Sequence, residues 1–556
     1  MGETKSAFLS EEEQKKIEIF FKKILDAFHI KIFVYKMLIL PSQQIALHRI
    51  RRIIKNSAPL TKNISGKKIV FHPIDARYGL HAYIEGGIAK ALQVRGHEVK
   101  MLICGGTLKT CPGHFTIKKP RNTWYCENCI SFSRKFYETV GLPYVTYGDY
   151  TTKEEIESIT KKVNKMSMKE CRSLVHKDVE VGFHAFTSAD RYFIGAIIEE
   201  EQYNSVFRSE LITAIISTDV AEKILADEKP DIMVNSHGCY STWGSFSELF
   251  LKKDIRVCIW GGGGHKKDTL IFERHDIADC YTRYYKEARK KRPLDKNEEE
   301  ELKSFLDDRM TGVGGDTSLY GFSTDKTNDL KKMFDIDKYK KTYVLFSNLP
   351  WDVSLLKTNK GFKDVYEWVS YTIELFKEKP NLQLVIKIHP SEKVYESEKT
   401  VMDYINEKFD SLPKNIKIIP PTSDINPYSL LPFIDVGIVY NGTIGLEMAI
   451  KNIPVVATGI APYSEKGFTY DISTKKEYSD VLFGDIPTLP NQVDLAKSFA
   501  HFYFIKSLIP RSFIYCNSFL DLGWNIKSLE DFKEGKNKHL DNICNYILYG
   551  GIYQDW

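Results

Sequence analysis

No run of apolar residues in this 556-residue chain reaches the roughly 18 that a membrane-spanning helix needs, so an embedded protein is not expected. The opening MGETKSAFLSEEEQKK lacks the basic start and apolar core of an export signal. The expectation is a cytoplasmic protein. Internal repeats and low-complexity segments are missing, which leaves out solenoids and sequence-biased tails. Charge of one sign is scarce, a net +5 over the whole length, and there is no RNP, zinc-finger or helix-turn-helix signature. Nothing argues for a nucleic-acid partner. Gly86 and Gly87 do not form a G-x-G-x-x-G fingerprint, so a nicotinamide cofactor is not expected. The ten cysteines are scattered apart from one cluster, which fits a reducing compartment rather than a disulfide scaffold.

What is present is ordinary globular material, 43% hydrophobic and 27% charged, in a chain too long for a single core. Two domains with extras are expected. The most informative stretch is Leu382 to Thr469. LQLVIKIHPSE sets an apolar run before His389, Pro390 and Glu392, and DVGIVYNGTIGLEMAI repeats the design with Asn441, Gly442 and Thr443 before a helix holding Gly445 and Glu447. IPVVATGIAPYSEKGFT adds a third strand and a loop with Tyr463 and Lys466. Buried parallel strands that deliver polar groups at their C-terminal ends predict a ligand crevice, and a helix start after a tight glycine turn suits an anion.

Three segments, IKIHPSE, YNGTIGLE and GIAPYSEKGFT, together with FSNLPWDVS at Phe346 to Ser354, resemble the C-terminal half of bacterial capsule polysaccharide biosynthesis proteins. These are glycosyltransferases of the two-domain GT-B type and include the Kdo-transferring capsule enzymes. The resemblance spans roughly residues 340 to 480. Lys387 and Ser391 stand where Arg and Ala are expected, and Gly442 where Ser or Thr is usual. The resemblance implies an α/β GT-B-like fold of two Rossmann-like parallel-sheet domains facing a cleft. It also implies a nucleotide-sugar donor, CMP- or UDP-linked, and a saccharide or lipid-linked acceptor. The donor-site positions it selects are His389, Thr443, Gly445 and Glu447.

The rest of the chain divides on this basis into a basic amphipathic helical extension (1–66), an acceptor domain (67–325), a nucleotide-sugar domain (326–485) and C-terminal helices that pack back on the acceptor domain (486–556). The extension either lies on an anionic membrane surface at the inner face of the cell membrane or packs its apolar face on the domain that follows. Within the acceptor domain, Cys104, Cys111, Cys126 and Cys129 are read as one insertion with structural zinc, ahead of an iron–sulfur cluster or four unrelated thiols. No catalytic metal is implied, so Lys387, the helix start after Thr443 and Lys466 are expected to meet the phosphate charge, with Glu392, Asn441, Gly442 and Tyr463 beside the donor. His389 is expected to donate to phosphate or sugar, with a structural imidazole as the alternative. Glu447 would accept from ribose hydroxyls or cap its helix. For a general base the sequence offers Asp75, His81 and Glu85 after the first strand and His237, His265 and Asp268 after later ones. A nucleotide-sugar 2-epimerase of the same architecture and a non-catalytic capsule-assembly protein remain the other readings.

Overall fold

The computed structural model describes residues 37–38, 40–57, 66–74, 79–113, 123–193, 200–262, 266–273, 293–312, 330, 338–351, 361–394, 399–486, 489–518 and 520–550. Asp75, His265, His114 and most of the N-terminal extension lie outside these residues. The part of the extension that is described forms helix α1 (Leu40–Lys55). Ala46, Leu47 and Ile50 recur at helical spacing and are buried, and they pack against helix α3 (Thr123–Val140) and a C-terminal strand. Arg51, Arg52 and Lys55 remain on the exposed side.

The first domain contains β1 (Lys68–Phe71), β2 (Glu98–Ile103), β3 (Tyr144–Thr146), β4 (Ile232–Asn235), β5 (Arg256–Gly262) and β6 (Thr269–Glu273). They assemble in the order β6-β5-β4-β1-β2-β3, parallel except where β6 runs against β5. Helix α2 (Leu80–Val94) follows β1. Its Gly86 and Gly87 serve packing: a Cβ on Gly86 would come within 2.5 Å of the Phe136 ring, and one on Gly87 within 2.8 Å of Phe513. Helices α4 (Val181–Phe193) and α5 (Glu200–Glu228) pack on each other and on the turn after β4.

Helix α6 (Lys296–Met310) leads towards the second domain, which contains β7 (Lys341–Phe346), β8 (Leu382–Lys387), β9 (Ile416–Ile419), β10 (Val436–Val439), β11 (Val455–Ala457) and β12 (Tyr470–Asp471). All pairings are parallel, in the order β12-β11-β10-β7-β8-β9. Both sheets therefore wind out from their first strand to one side and then from their fourth to the other. That is the doubly wound order, in which a crevice opens between the first and fourth strands where the winding reverses. Every residue of β8 is buried, Gln383 and Lys387 included, because helices cover both faces. One of them is α7 (Val365–Lys377), which buries Val365, Trp368, Val369, Thr372, Ile373 and Phe376 and is capped by Asp364.

The C-terminal region departs from the all-helical expectation. Helix α8 (Ile444–Ile450), which follows β10, is packed by helix α9 (Gln492–His501), so residues 492–501 belong with the second sheet. The chain then returns to the first sheet: β13 (Ile509–Pro510) pairs antiparallel with β6, and β14 (Ile514–Ser518) and β15 (Asp521–Trp524) form a hairpin. Helix α10 (Lys538–Tyr549) closes on α2, where Arg95 bonds Asp541 at 2.6 Å. The strands of this region are short and carry no apolar run, so periodicity did not reveal them. The boundary near 325 moves for a related reason: α6 is highly charged and reads as an exposed connector, yet its buried Leu302, Leu306 and Arg309 hold it to the second domain.

Candidate active site at two switch points

In the second sheet the reversal lies between β7 and β10, and the chain places Ser347 and Asn348 at one end and Asn441 at the other. The Asn348 amide donates to Asn441 Oδ1 at 2.8 Å. Ser347 Oγ accepts the His389 backbone N–H at 2.9 Å, so β8, β7 and β10 are stitched across their C-terminal ends. The ends of β8 and β10, read from the sequence as sides of one crevice, are not neighbours in the sheet. β7 stands between them, which separates His389 from Asn441 by two strand spacings, roughly 10 Å. Ser347 and Asn348 escaped the sequence reading as site residues, although KTYVLFSN shows the same apolar run ending in polar groups.

Several expected donor contacts are engaged elsewhere. Lys387 is 3% exposed and its Nζ reaches the Pro420 carbonyl. Burial, opposed by Asp424, pushes its ammonium down to about 8. Glu392 is also buried, and its carboxylate accepts the Val401 backbone N–H at 3.0 Å. Burial raises it to about 8, so it is mostly protonated at neutral pH. Tyr463 is buried and donates to the Gly442 carbonyl at 2.7 Å, which makes it a strut under the glycine turn. Gly445 makes room for that strut, since a Cβ there would lie 2.2 Å from the Tyr463 hydroxyl. Lys466 Nζ bonds the Ser464 carbonyl at 2.9 Å and lies over the Phe499 ring. His389 is half-buried, with Nδ1 turned back to accept the Ser391 N–H at 3.2 Å, the structural arrangement that was the alternative for it.

Thr443 and Glu447 share a partner that the sequence did not suggest. Arg309 of α6 donates from Nε to Glu447 Oε1 at 2.5 Å and from Nη2 to Thr443 Oγ1 at 3.2 Å, with its guanidinium over the Phe504 ring. Tyr428 donates to the same Glu447 oxygen at 3.1 Å. Both side chains of the ion pair are almost fully buried. Glu447 is thus the counterion of Arg309 and does not cap its helix. Residues 138 positions apart leave no local trace of such a pairing.

In the first sheet the reversal lies between β1 and β4, ending at His72 and at Ser236–His237. The His237 ring stacks on Trp243 at 4.7 Å between centroids, and His81 at the start of α2 lies 6.4 Å from it. Burial, helped by the neighbouring His81 and Arg191, lowers His237 to about 4, so the ring is neutral at physiological pH. Trp243 in turn donates to the His72 carbonyl. The loop carrying His237 is pinned on α4: Thr187 Oγ1 accepts the Tyr240 N–H and Ser188 Oγ the Ser241 N–H. Of the base candidates, the structure brings His81 and His237 together, while Asp268 pairs with Arg511. Glu85, one turn beyond His81, is buried and accepts the Trp260 indole N–H at 3.0 Å.

All four cysteines of the metal reading are among the described residues. Cys104 and Cys111 pack against the apolar cluster on one face of the first sheet, and Cys129 against the cluster on the other. Cys126 and Cys129 sit on α3. Among the described residues no three or more His, Cys, Asp or Glu side chains converge as metal ligands. No described helix is long and apolar enough to cross a membrane.

Comparison with known proteins bears on one segment of the chain. Residues 315–487 match the capsule polysaccharide biosynthesis protein family. No curated protein matches the chain. Among solved structures, the chain is similar to the KpsC β-Kdo 2,7-transferase of Thermosulfurimonas dismutans, at 15% identity and a TM-score of 0.31, covering 51% of this chain and 79% of that one. A UDP co-structure of S. aureus MnaA aligns at 12% identity and 0.25 over 79% and 94% of the two chains. A Neisseria meningitidis UDP-GlcNAc 2-epimerase bound to UDP-GlcNAc aligns at 12% and 0.23 over 79% and 99%.

Proposed function

We propose that this chain is a glycosyltransferase that moves a sugar from a nucleotide-sugar donor to a saccharide acceptor of a surface polysaccharide. The observation that carries the reading is the pair of switch points. One is lined by Ser347, Asn348 and Asn441 within the segment that matches the capsule family, and the other by His81 and His237 in the first domain. The donor occupies the second-domain crevice, where the two asparagine amides supply neutral hydrogen-bonding groups to nucleoside or sugar. The acceptor hydroxyl comes from the first domain. Its oxygen bonds to the anomeric carbon, the bond from that carbon to the phosphate oxygen breaks, and the electron pair leaves on the phosphate. The hydroxyl proton passes to the neutral His237 imidazole or to His81 beside it. The exposed Arg51, Arg52 and Lys55 of α1 support docking on an anionic membrane where a lipid-linked acceptor would be met; loss of vesicle binding in salt tests that part.

The test of activity is incubation of the whole protein with CMP-, UDP- and GDP-sugars, with and without oligosaccharide acceptors. Acceptor-dependent release of the nucleotide is the expected result. Epimerised sugar without acceptor would identify a 2-epimerase instead, and absence of any nucleotide binding would leave an assembly protein.

A further inference from the structure

Four glycines stand on or beside β10 at the second switch point, and packing accounts for three of them. A Cβ would lie 2.3 Å from the Met448 sulfur at Gly437, 2.2 Å from the Tyr463 hydroxyl at Gly445 and 2.5 Å from the Tyr440 ring at Gly459. Gly442 has no such reason. Its backbone is not in the left-handed region, and a Cβ on it would meet nothing closer than Asn348 Oδ1 at 3.6 Å and a methyl carbon of Ile444 at 3.9 Å, both ordinary contact distances. The turn is fixed all the same, because the Gly442 carbonyl accepts from the Tyr463 hydroxyl at 2.7 Å and from the Gly445 N–H at 3.1 Å. What the missing side chain leaves open is the space beside the Asn348 carbonyl oxygen. Asn348 is only 8% exposed. Its amide N–H donates to Asn441 Oδ1 at 2.8 Å, and its own oxygen has no partner among the described residues.

We propose that the space a side chain would fill at residue 442 is a subsite for a neutral hydrogen-bond donor of the nucleotide sugar, an N–H of the base or a hydroxyl of the sugar, received by Asn348 Oδ1. The inference rests on the nucleotide-sugar reading above and makes Gly442 a specificity determinant of that site. An amide oxygen only accepts hydrogen bonds, so it turns away the phosphate, whose oxygens also accept, and takes the uncharged part of the ligand. The bond to Asn441 holds the amide in place before the ligand arrives, so little freedom is lost on binding. A ligand with no donor at this point would leave a largely buried acceptor unsatisfied, which is the arrangement that discriminates most strongly between similar molecules.

The test is titration calorimetry on the full chain with uridine and cytidine, UDP and CMP, and UDP-GlcNAc and CMP-neuraminate, alongside urea unfolding. Gly442→Ala should unfold at the wild-type urea midpoint or above it, since an unstrained change from glycine to alanine restricts the unfolded chain. It should weaken whichever of these ligands the wild type binds by about fivefold or more. A loss already seen with the nucleoside or free nucleotide assigns the subsite to the base, and a loss confined to the sugar conjugate assigns it to the sugar. Asn348→Ala should weaken the same ligand, and the double variant should bind no worse than the weaker single one, because both changes remove one contact. The Gly442 results decide alone if the Asn348 variant does not fold. A Gly442→Ala protein of lowered stability would give the glycine a packing reason and overturn the assignment. So would a stable one of unchanged affinity, or full additivity with Asn348→Ala. If the wild type binds none of the six, the glycosyltransferase reading falls first and this subsite with it.

Discussion

Glu85 shows how a single buried carboxyl links the fold to pH. Burial, opposed by the Trp260 hydrogen bond, raises it to about 8. Below about 4.5 it is protonated in both folded and unfolded chains and has no effect. As pH rises from there, the unfolded chain ionises while the folded one holds its proton, so stability falls until about pH 8 and is flat above. Glu85→Gln keeps an acceptor for the indole and removes the titration. Relative to wild type, the variant should gain stability progressively between pH 4.5 and 8, on the order of 3 kcal/mol by pH 7, over a pH-independent offset from the new amide. Chemical denaturation at pH 4.5, 6 and 8 reads the slope. A difference that stays constant across these values would show that Glu85 is ionised in the folded protein. Glu392, raised to about 8, and Glu210, raised to about 7, contribute in the same direction, so the wild-type slope is only partly removed.

The turn between β10 and α8 is where sequence and structure agree on place and differ on cause. Its strand, its glycine turn and its helix start were all readable, because an apolar run followed by Asn-Gly-Thr has few other uses in an α/β chain. His389 and Asn441 were legible as strand-end residues for the same reason. The strand order was not, since pairing is a long-range property, and without it β7 and its Ser347–Asn348 end stayed unassigned. Gly445 was read as a ligand contact but answers to Tyr463. Gly445→Ala should therefore displace the Tyr463 ring, release the Gly442 carbonyl and destabilise the protein by about 1–3 kcal/mol. Tyr463→Phe loses the hydrogen bond, at about 0.5–1.5 kcal/mol, and removes the atom the new methyl would strike. The double variant should then be more stable than the sum of the single effects predicts. Urea unfolding of the four proteins measures the coupling, and strict additivity would place the strain of Gly445→Ala somewhere other than at Tyr463.

At the scale of the molecule, the second domain is larger than the segment 326–485 that its sequence pattern marks out. Helix α6 precedes that segment and α9 follows it, and each supplies something the sheet cannot do without. From α6 comes Arg309, the partner of a Glu447 that is 5% exposed, and the Met310 carbonyl that accepts from Asn426. From α9 comes Phe499, packed against Phe468 and Tyr503. The two helices are tied to each other by His501 and Glu301 at 2.9 Å. Cutting α6 away leaves the Glu447 carboxyl buried without its cation, which costs roughly 3–5 kcal/mol, and removing α9 uncovers aromatic core besides. Against a domain stability of about 5–15 kcal/mol these losses are decisive together. A fragment of residues 293–506 is expected to be soluble and to unfold cooperatively, and one of residues 326–485 to aggregate or to lack a cooperative transition. Glu447→Leu within the shorter fragment should recover part of the loss, because it removes the unpaired charge. Circular dichroism melts and urea titrations of the fragments decide the matter: equal cooperative stability of the two would make α6 a connector after all, with the Arg309–Glu447 pair a passenger on a sheet that holds without it.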